Sequence, residues 1–253
     1  MAQVISIVNQ KGGVGKTTTA VNLGAYLSHL GKRVLLIDID PQANATSGLG
    51  IDHRSLDYGI YEAIIGHKPI FDVIKRTVQK DYHLAPATLS LAGAGVELVG
   101  LEEREYRLKK IIGLLRDEFD YIIIDGPPSL GLLTVNGLTA SDNVIIPIQS
   151  EYYALEGLSQ LLETISLVQN HLNPNLGIMG ALITMFDKRN KLSGQIMEEL
   201  YRYFPNRIFR SVIPRSVRLA EAPSYGRSIL HYNHKSRGGK AYENLAREII
   251  ASE

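Results

Sequence analysis

Three glycines, two lysines and a threonine pair crowd into ten residues near the start of the chain, Asn9 to Thr18. Gly12, Gly13 and Gly15 accept backbone angles that other residues resist, so successive N–H groups around Val14 can turn inward on an anion. A helix opening near Lys16 adds partial positive charge at the same place. Lys16 can reach the β- and γ-phosphates of a nucleotide, Thr17 can offer its hydroxyl to Mg²⁺, and Thr18 extends the cradle. The generic phosphate-loop pattern asks for glycine five residues before Gly15. Gln10 stands there, and a second lysine, Lys11, opens the loop instead. A dinucleotide loop is the rival reading. It requires Gly-x-Gly-x-x-Gly, and the stretch from Gly13 through Gly15 to Thr18 lacks the third glycine. The Lys16–Thr17 pair suits a triphosphate with Mg²⁺ better than a pyrophosphate.

Two apolar runs end abruptly in acid. Val34 to Ile37 leads into Asp38, Ile39, Asp40 and Pro41, and Tyr121 to Ile124 leads into Asp125 and Gly126. In an open parallel sheet ligands bind at the carboxyl ends of the strands. Asp38, Asp40 and Asp125 are therefore expected beside the phosphate loop. Asp125, at a strand end, is the candidate to hold Mg²⁺ through water. Asp40, beyond its strand, is the candidate to orient an attacking water. Asp38 is left for a turn or cap.

The elements that must position these groups follow from hydrophobic periodicity. Val4 to Val8, Val34 to Ile37, Tyr121 to Ile124 and Val144 to Ile146 are nearly continuous apolar runs, as expected of strands covered on both faces. Gly180 to Met185, His83–Leu84 and Ile208 to Val212 are weaker strand candidates. Helical stripes lie between them. Thr17 to Leu30 carries Ala20, Leu23, Leu27 and Leu30 on one side, with Gly31 placed to cap its end. Leu108 to Leu115 and Leu155 to Leu172 repeat the pattern. Alternation of this kind predicts right-handed βαβ units in an α/β fold: a mostly parallel, twisted sheet with helices on both faces. With no linker, repeat or low-complexity tract, residues 1–253 read as one domain.

Composition removes several functions. The chain has no cysteine, which excludes disulfides, thiolate nucleophiles and cysteine-held clusters. The seven histidines show no zinc spacing. No stretch approaches the ~18 apolar residues of a membrane span, and the N-terminus reads as a strand, not a signal peptide. The net charge is +1, but residues 187–240 carry twelve Lys/Arg against four Asp/Glu, an excess of +8 that leaves −7 for the rest. Such asymmetry suggests one face for an anionic polymer.

Lys11 to Thr17 resembles the deviant Walker A motif of the ParA/MinD ATPases. Asp38 to Gly50 is similar to their switch motif and Tyr121 to Asp125 to their Walker B strand. Asp125 to Ser129, Glu151 to Gly157, Thr184 to Asp187 and Ile213 to Ser224 match the same family, specifically its Soj-type chromosomal ParA members. The resemblance covers essentially the whole chain. It implies a P-loop ATPase that uses ATP and Mg²⁺ and forms an ATP-sandwiched homodimer, with Lys11 of each subunit reaching its partner's phosphates. It implies that Pro214 and Ser216 lie at the adenine, although relatives usually carry asparagine at the latter position. Ala43 and Gly126 stand where relatives usually have glycine and cysteine.

The resemblance further implies non-specific binding of double-stranded DNA by the ATP dimer, through Arg189 and Arg218 with Lys188 and Lys191 beside them. Arg215, Lys235 and Arg237 are weaker candidates, and Tyr201 and Tyr203 read as packing residues. A ParB-type centromere-binding protein would stimulate hydrolysis and release the dimer. The expected location is the cytoplasm, on the nucleoid, with no membrane partner. A MinD-like membrane-cycling regulator is the alternative. It would need a lipid-facing helix at the C-terminus, where Lys240 to Glu253 instead reads as an acidic helix docked on the core.

Overall fold

A computed structural model describes residues 1–150, 157–187, 200–205 and 207–252. Its centre is a seven-stranded sheet: β1 (Gln3–Ile7), β2 (Val34–Asp38), β3 (Lys75–Arg76), β4 (Tyr82–Ala85), β5 (Tyr121–Asp125), β6 (Asn143–Gln149) and β7 (Gly177–Thr184). The spatial order is β3-β4-β2-β5-β1-β6-β7, and only β3 runs antiparallel to its neighbour. The apolar runs are continuous because both faces are covered. Ile5, Ile7, Leu36 and Ile123 pack with helix α1 (Lys16–His29) and the C-terminal helix on one side, while Val4, Leu35, Ile37 and Ile124 pack on the other. There they meet α3 (Ile60–Ile64), α6 (Arg107–Gly113) and α7 (Leu132–Ala140), with the short helices α2 (Asn44–Gly48), α4 (Ile70–Val73) and α5 (Ala94–Glu97) preceding them in the chain. Each fully buried Leu or Ile contributes roughly 1.5–3 kcal/mol, so the strand runs fix the sheet's position. A separate cluster joins β6 and β7 to α8 (Leu158–His171) through Val144, Ile146, Leu161 and Ile165.

Helix α1 ends as the glycine foretells. Gly31 takes φ +87, its N–H donates to Ser28 O, and the Lys32 N–H donates to Leu27 O, the paired bonds of a Schellman motif. Further helices are α9 (Val217–Glu221), α10 (Ile229–Asn233) and α11 (Arg237–Ile250). Helix α11 starts at Ser236, whose Oγ accepts from the Gly239 N–H. It buries Tyr242, Leu245 and Ile249 against α1, and the Tyr242 and Thr19 hydroxyls lie 3.1 Å apart. That stripe is committed to the core and is not presented to lipid.

Two expectations need correction. Ile208 to Val212 forms no regular strand. The segment runs beside β7 through isolated bonds, Phe209 N–H to Ala181 O and Ile213 N–H to Ile183 O, without a ladder. Tyr201 and Tyr203 are exposed, and Leu200 and Phe204 carry the burial there.

Candidate nucleotide-binding site

Strand register assembles the site. Ile7, the last residue of β1, pairs with Asp125, and Asp38 pairs with Asp125 from the other side. The loop leaving β1 thus passes the two carboxylates before turning into α1. Its glycines do what their type permits: Gly13 has φ +73, and Gly15, the N-cap of α1, has φ +93. The loop is pinned at both shoulders. Asn9 Nδ2 donates to Pro147 O (2.7 Å), Asn9 Oδ1 accepts from the Lys11 N–H (2.9 Å), and the Thr184 hydroxyl donates to the carbonyl of buried Val14 (2.8 Å). Asn9 and Thr184 fall within the motif stretches, but motif reading gave neither an anchoring role.

Lys16 is 6% exposed, and its Nζ donates to Lys11 O at 3.1 Å. Burial lowers its pKa, and the charges of Asp125 and Asp40 offset part of that. The two strand-end acids differ sharply. Asp38 Oδ2 accepts from the Thr46 N–H (2.9 Å) and hydroxyl (2.7 Å), and Oδ1 accepts from the Asp40 N–H (3.1 Å). The same Thr46 hydroxyl accepts from the Ala87 N–H. Asp38 therefore fastens α2 and the Asp40 backbone to the sheet, as a turn-and-cap residue does. Burial nonetheless pushes its pKa up to about 6.

Asp125 is fully buried, and neither carboxylate oxygen has a hydrogen-bond partner among the described residues. Burial, then the charge of Asp38, push its pKa well up. The Thr17 hydroxyl, short of hydrogen-bond geometry, and Lys16 favour the ionised form. An orphaned buried carboxylate next to a threonine hydroxyl fits a hydrated divalent cation, which would supply the missing donors and charge.

Asp40 is buried at the cleft, where its Oδ1 accepts from the Gln42 N–H (3.0 Å). Ala43 follows with φ +52, a conformation glycine adopts more easily. The cleft has a volume of about 610 Å³. Gly12 to Thr18 except Val14, the segment Asp40 to Gly48 and the segment Ala222 to Arg227 all contribute to its walls. At Gly15 and Thr18 it meets a second cavity of about 320 Å³, mostly apolar, which Pro214, Ser216, Val217 and Tyr242 line. The expected adenine residues thus border a pocket of suitable size beside the phosphate loop. Lys11 stands at the loop's start but is not among the cleft-lining residues.

Lys188, Arg189, Lys191 and most of Glu151 to Gly157 lie outside the described residues. Arg218 is exposed and paired with Glu221 (2.9 Å), whose same oxygen accepts from the Tyr232 hydroxyl. Arg215 and Arg237 border a separate groove with Arg210 and Lys240.

Comparison with known proteins places this geometry. A family model described as "AAA domain" matches residues 2–178. The chain is 55% identical, over 100% of both chains, to the sporulation initiation inhibitor protein Soj of Bacillus subtilis. It is 48% identical to the chromosome-partitioning ATPase Soj of Treponema pallidum, covering 99% of this chain and 98% of that one. Among solved structures, a cobyrinic acid a,c-diamide synthase from Mycobacterium smegmatis with bound ADP and magnesium is similar, with TM-score 0.87 and 39% identity over 99% of this chain and 94% of that one. With 55% and 48% identity over essentially the full length of these relatives, the chain belongs to the Soj/ParA family of chromosome-partitioning ATPases.

Proposed function

We propose that this ATPase works as a nucleotide-gated dimer: its Mg²⁺·ATP form pairs face to face, binds double-stranded DNA without sequence preference, and is released when a ParB-type partner stimulates hydrolysis. The carrying observation is the buried, unpartnered Asp125 carboxylate beside Thr17 and Lys16 at the mouth of the glycine loop. Thr17 and, through water, Asp125 would hold Mg²⁺. Bound there, the ion would neutralise charge developing on the phosphoryl oxygens.

This chain's residues do the rest. The loop N–H groups from Gly12 to Thr18, Val14 included, receive the phosphates. Lys16 exchanges its bond to Lys11 O for one to a phosphate oxygen, a stronger charge-assisted contact. Pro214 and Ser216 border the base, with the serine hydroxyl able to make one hydrogen bond to it. Asp40, its backbone fastened by Asp38, orients the water and accepts its proton. Lys11, free of the cleft wall, reaches the partner's phosphates, so pairing depends on the γ-phosphate. Arg189, Arg218, Lys188 and Lys191 would contact DNA phosphates, giving affinity without base readout. For Arg218 this means leaving Glu221, an exposed pair worth little. The protein would act in the cytoplasm on the nucleoid.

The test is size-exclusion chromatography of Asp40→Ala with ATP or ADP, with and without a short duplex. A persistent dimer with ATP alone that co-elutes with DNA is expected. A monomer in ATP refutes nucleotide gating. A dimer that ignores DNA but floats with liposomes replaces the DNA reading by the membrane one.

A further inference from the structure

Besides Lys16, Arg227 is the only lysine or arginine among the described residues lining the 610 Å³ cleft. Some arginines elsewhere are committed, Arg33 to Asp120, Arg116 to Asp142, Arg218 to Glu221 and Arg247 to Glu243. The exposed Arg227 guanidinium has no hydrogen-bond or ion-pair partner among the described residues.

Its backbone, by contrast, is held from two directions. The Gly226 N–H donates to Pro223 O (2.9 Å) and the Arg227 N–H to Ala222 O (3.2 Å), closing a tight turn with Gly226 at φ +62. Gly226 rests directly on Gly50, so closely that a Cβ added to it would lie 2.6 Å from Gly50 Cα. Gly50 ends the segment that carries Asp40, Ser47 and Gly48 on the cleft wall. On the other side, the Ile229 N–H donates to Asn22 Oδ1 (2.7 Å), and Asn22 Nδ2 donates to Thr18 O (2.7 Å) in the first turn of α1. Arg227 is thus suspended between the switch segment and the phosphate-loop helix, with its charge left for something in the cleft.

A guanidinium offers five donors, stays ionised and suits phosphate oxygens. We propose that Arg227 is a nucleotide-binding residue, whose guanidinium donates to phosphate oxygens of the nucleotide in the cleft and links its occupancy to the Gly50–Gly226 joint. This rests on the ATPase assignment and adds a second cation from the C-terminal third of the chain.

The test compares wild type, Arg227→Gln and Arg227→Lys as full chains, titrated with fluorescently labelled ATP and ADP in Mg²⁺, with circular dichroism melting to verify folding. Arg227→Gln is expected to weaken ATP binding about 10-fold, as loss of a charge-assisted bond does, and ADP binding less. Arg227→Lys should recover most of the loss. Unchanged ATP affinity in a folded Arg227→Gln protein overturns the proposal. Failure of the wild type to bind ATP would sink the ATPase reading itself, a different outcome.

Discussion

Replacing Asp125 by asparagine should stabilise the metal-free protein while removing its response to Mg²⁺. Asp125 is fully buried, adjacent in register to Asp38, and has no hydrogen-bond partner among the described residues. Asp38 sets the scale for ionising a carboxylate here. Its rise from 3.8 to about 6, at about 1.4 kcal/mol per pH unit, corresponds to about 3 kcal/mol at neutral pH. Asp38 has three hydrogen bonds to moderate that cost. Asp125 has none, and burial together with the neighbouring Asp38 charge likewise pushes its pKa up. The amide removes the charge but stays unsatisfied, at about 1–3 kcal/mol. The net effect expected for Asp125→Asn is a gain of up to about 2 kcal/mol.

The sign with pH follows from the direction of the shift. A carboxyl whose folded pKa is raised contributes stability below its unfolded value, near 3.8, and loses it as pH rises through the folded value. The gain should therefore be largest at pH 8 and shrink towards pH 4. Urea unfolding in EDTA at both pH values measures it. With ATP present, Mg²⁺ should raise the midpoint of wild type and leave that of the variant unchanged. An asparagine variant less stable than wild type at pH 8 without metal, or one that still responds to Mg²⁺, would refute the reasoning.

Two further outcomes are expected. Lys11→Ala should bind nucleotide within a few-fold of wild type and yet fail to pair on ATP addition in light scattering, because the loop's own cradle survives the loss of a side chain that does not line the cleft. Gly24→Ala should cost about 2 kcal/mol in urea unfolding despite a helix-propensity gain of about 1 kcal/mol. The new Cβ would lie 2.6 Å from the hydroxyl of buried Tyr82, which donates to Val21 O. A Gly24→Ala protein as stable as wild type would show that the ring can move aside.

The legible parts of this molecule are those written locally. The loop from Lys11 to Thr18 declares itself because positive φ at Gly13 and Gly15 and the helix start at Lys16 need particular residues within a few positions. The central strands declare themselves because burial on both faces demands unbroken apolar runs. Helix α7 escapes the same reading for a related reason: it is buried nearly all round, so it shows no one-sided stripe. What the sequence hides depends on partners distant in the chain. The recognised motif stops at Ser224, three residues short of Arg227, and no residue type after it announces the cleft. Its place comes from Gly226 meeting Gly50 and Ile229 meeting Asn22.

The division of labour between the acids has the same origin. Asp38 and Asp125 end similar strands and face each other, and periodicity cannot tell them apart. Thr46 and Asp40 turn their donors to one of them, and that acid becomes a fastener for the switch. The other has no hydrogen-bond partner among the described residues, as the proposed Mg²⁺ role would require. Under the proposed metal role, a fastener satisfied from within its own segment, beside an acid satisfied only with metal present, would give the segment carrying Asp40 a direct way to respond to Mg²⁺·nucleotide. A cation at Asp125 would remove the repulsion between it and Asp38, and Asp38 holds both the Asp40 backbone and the start of α2.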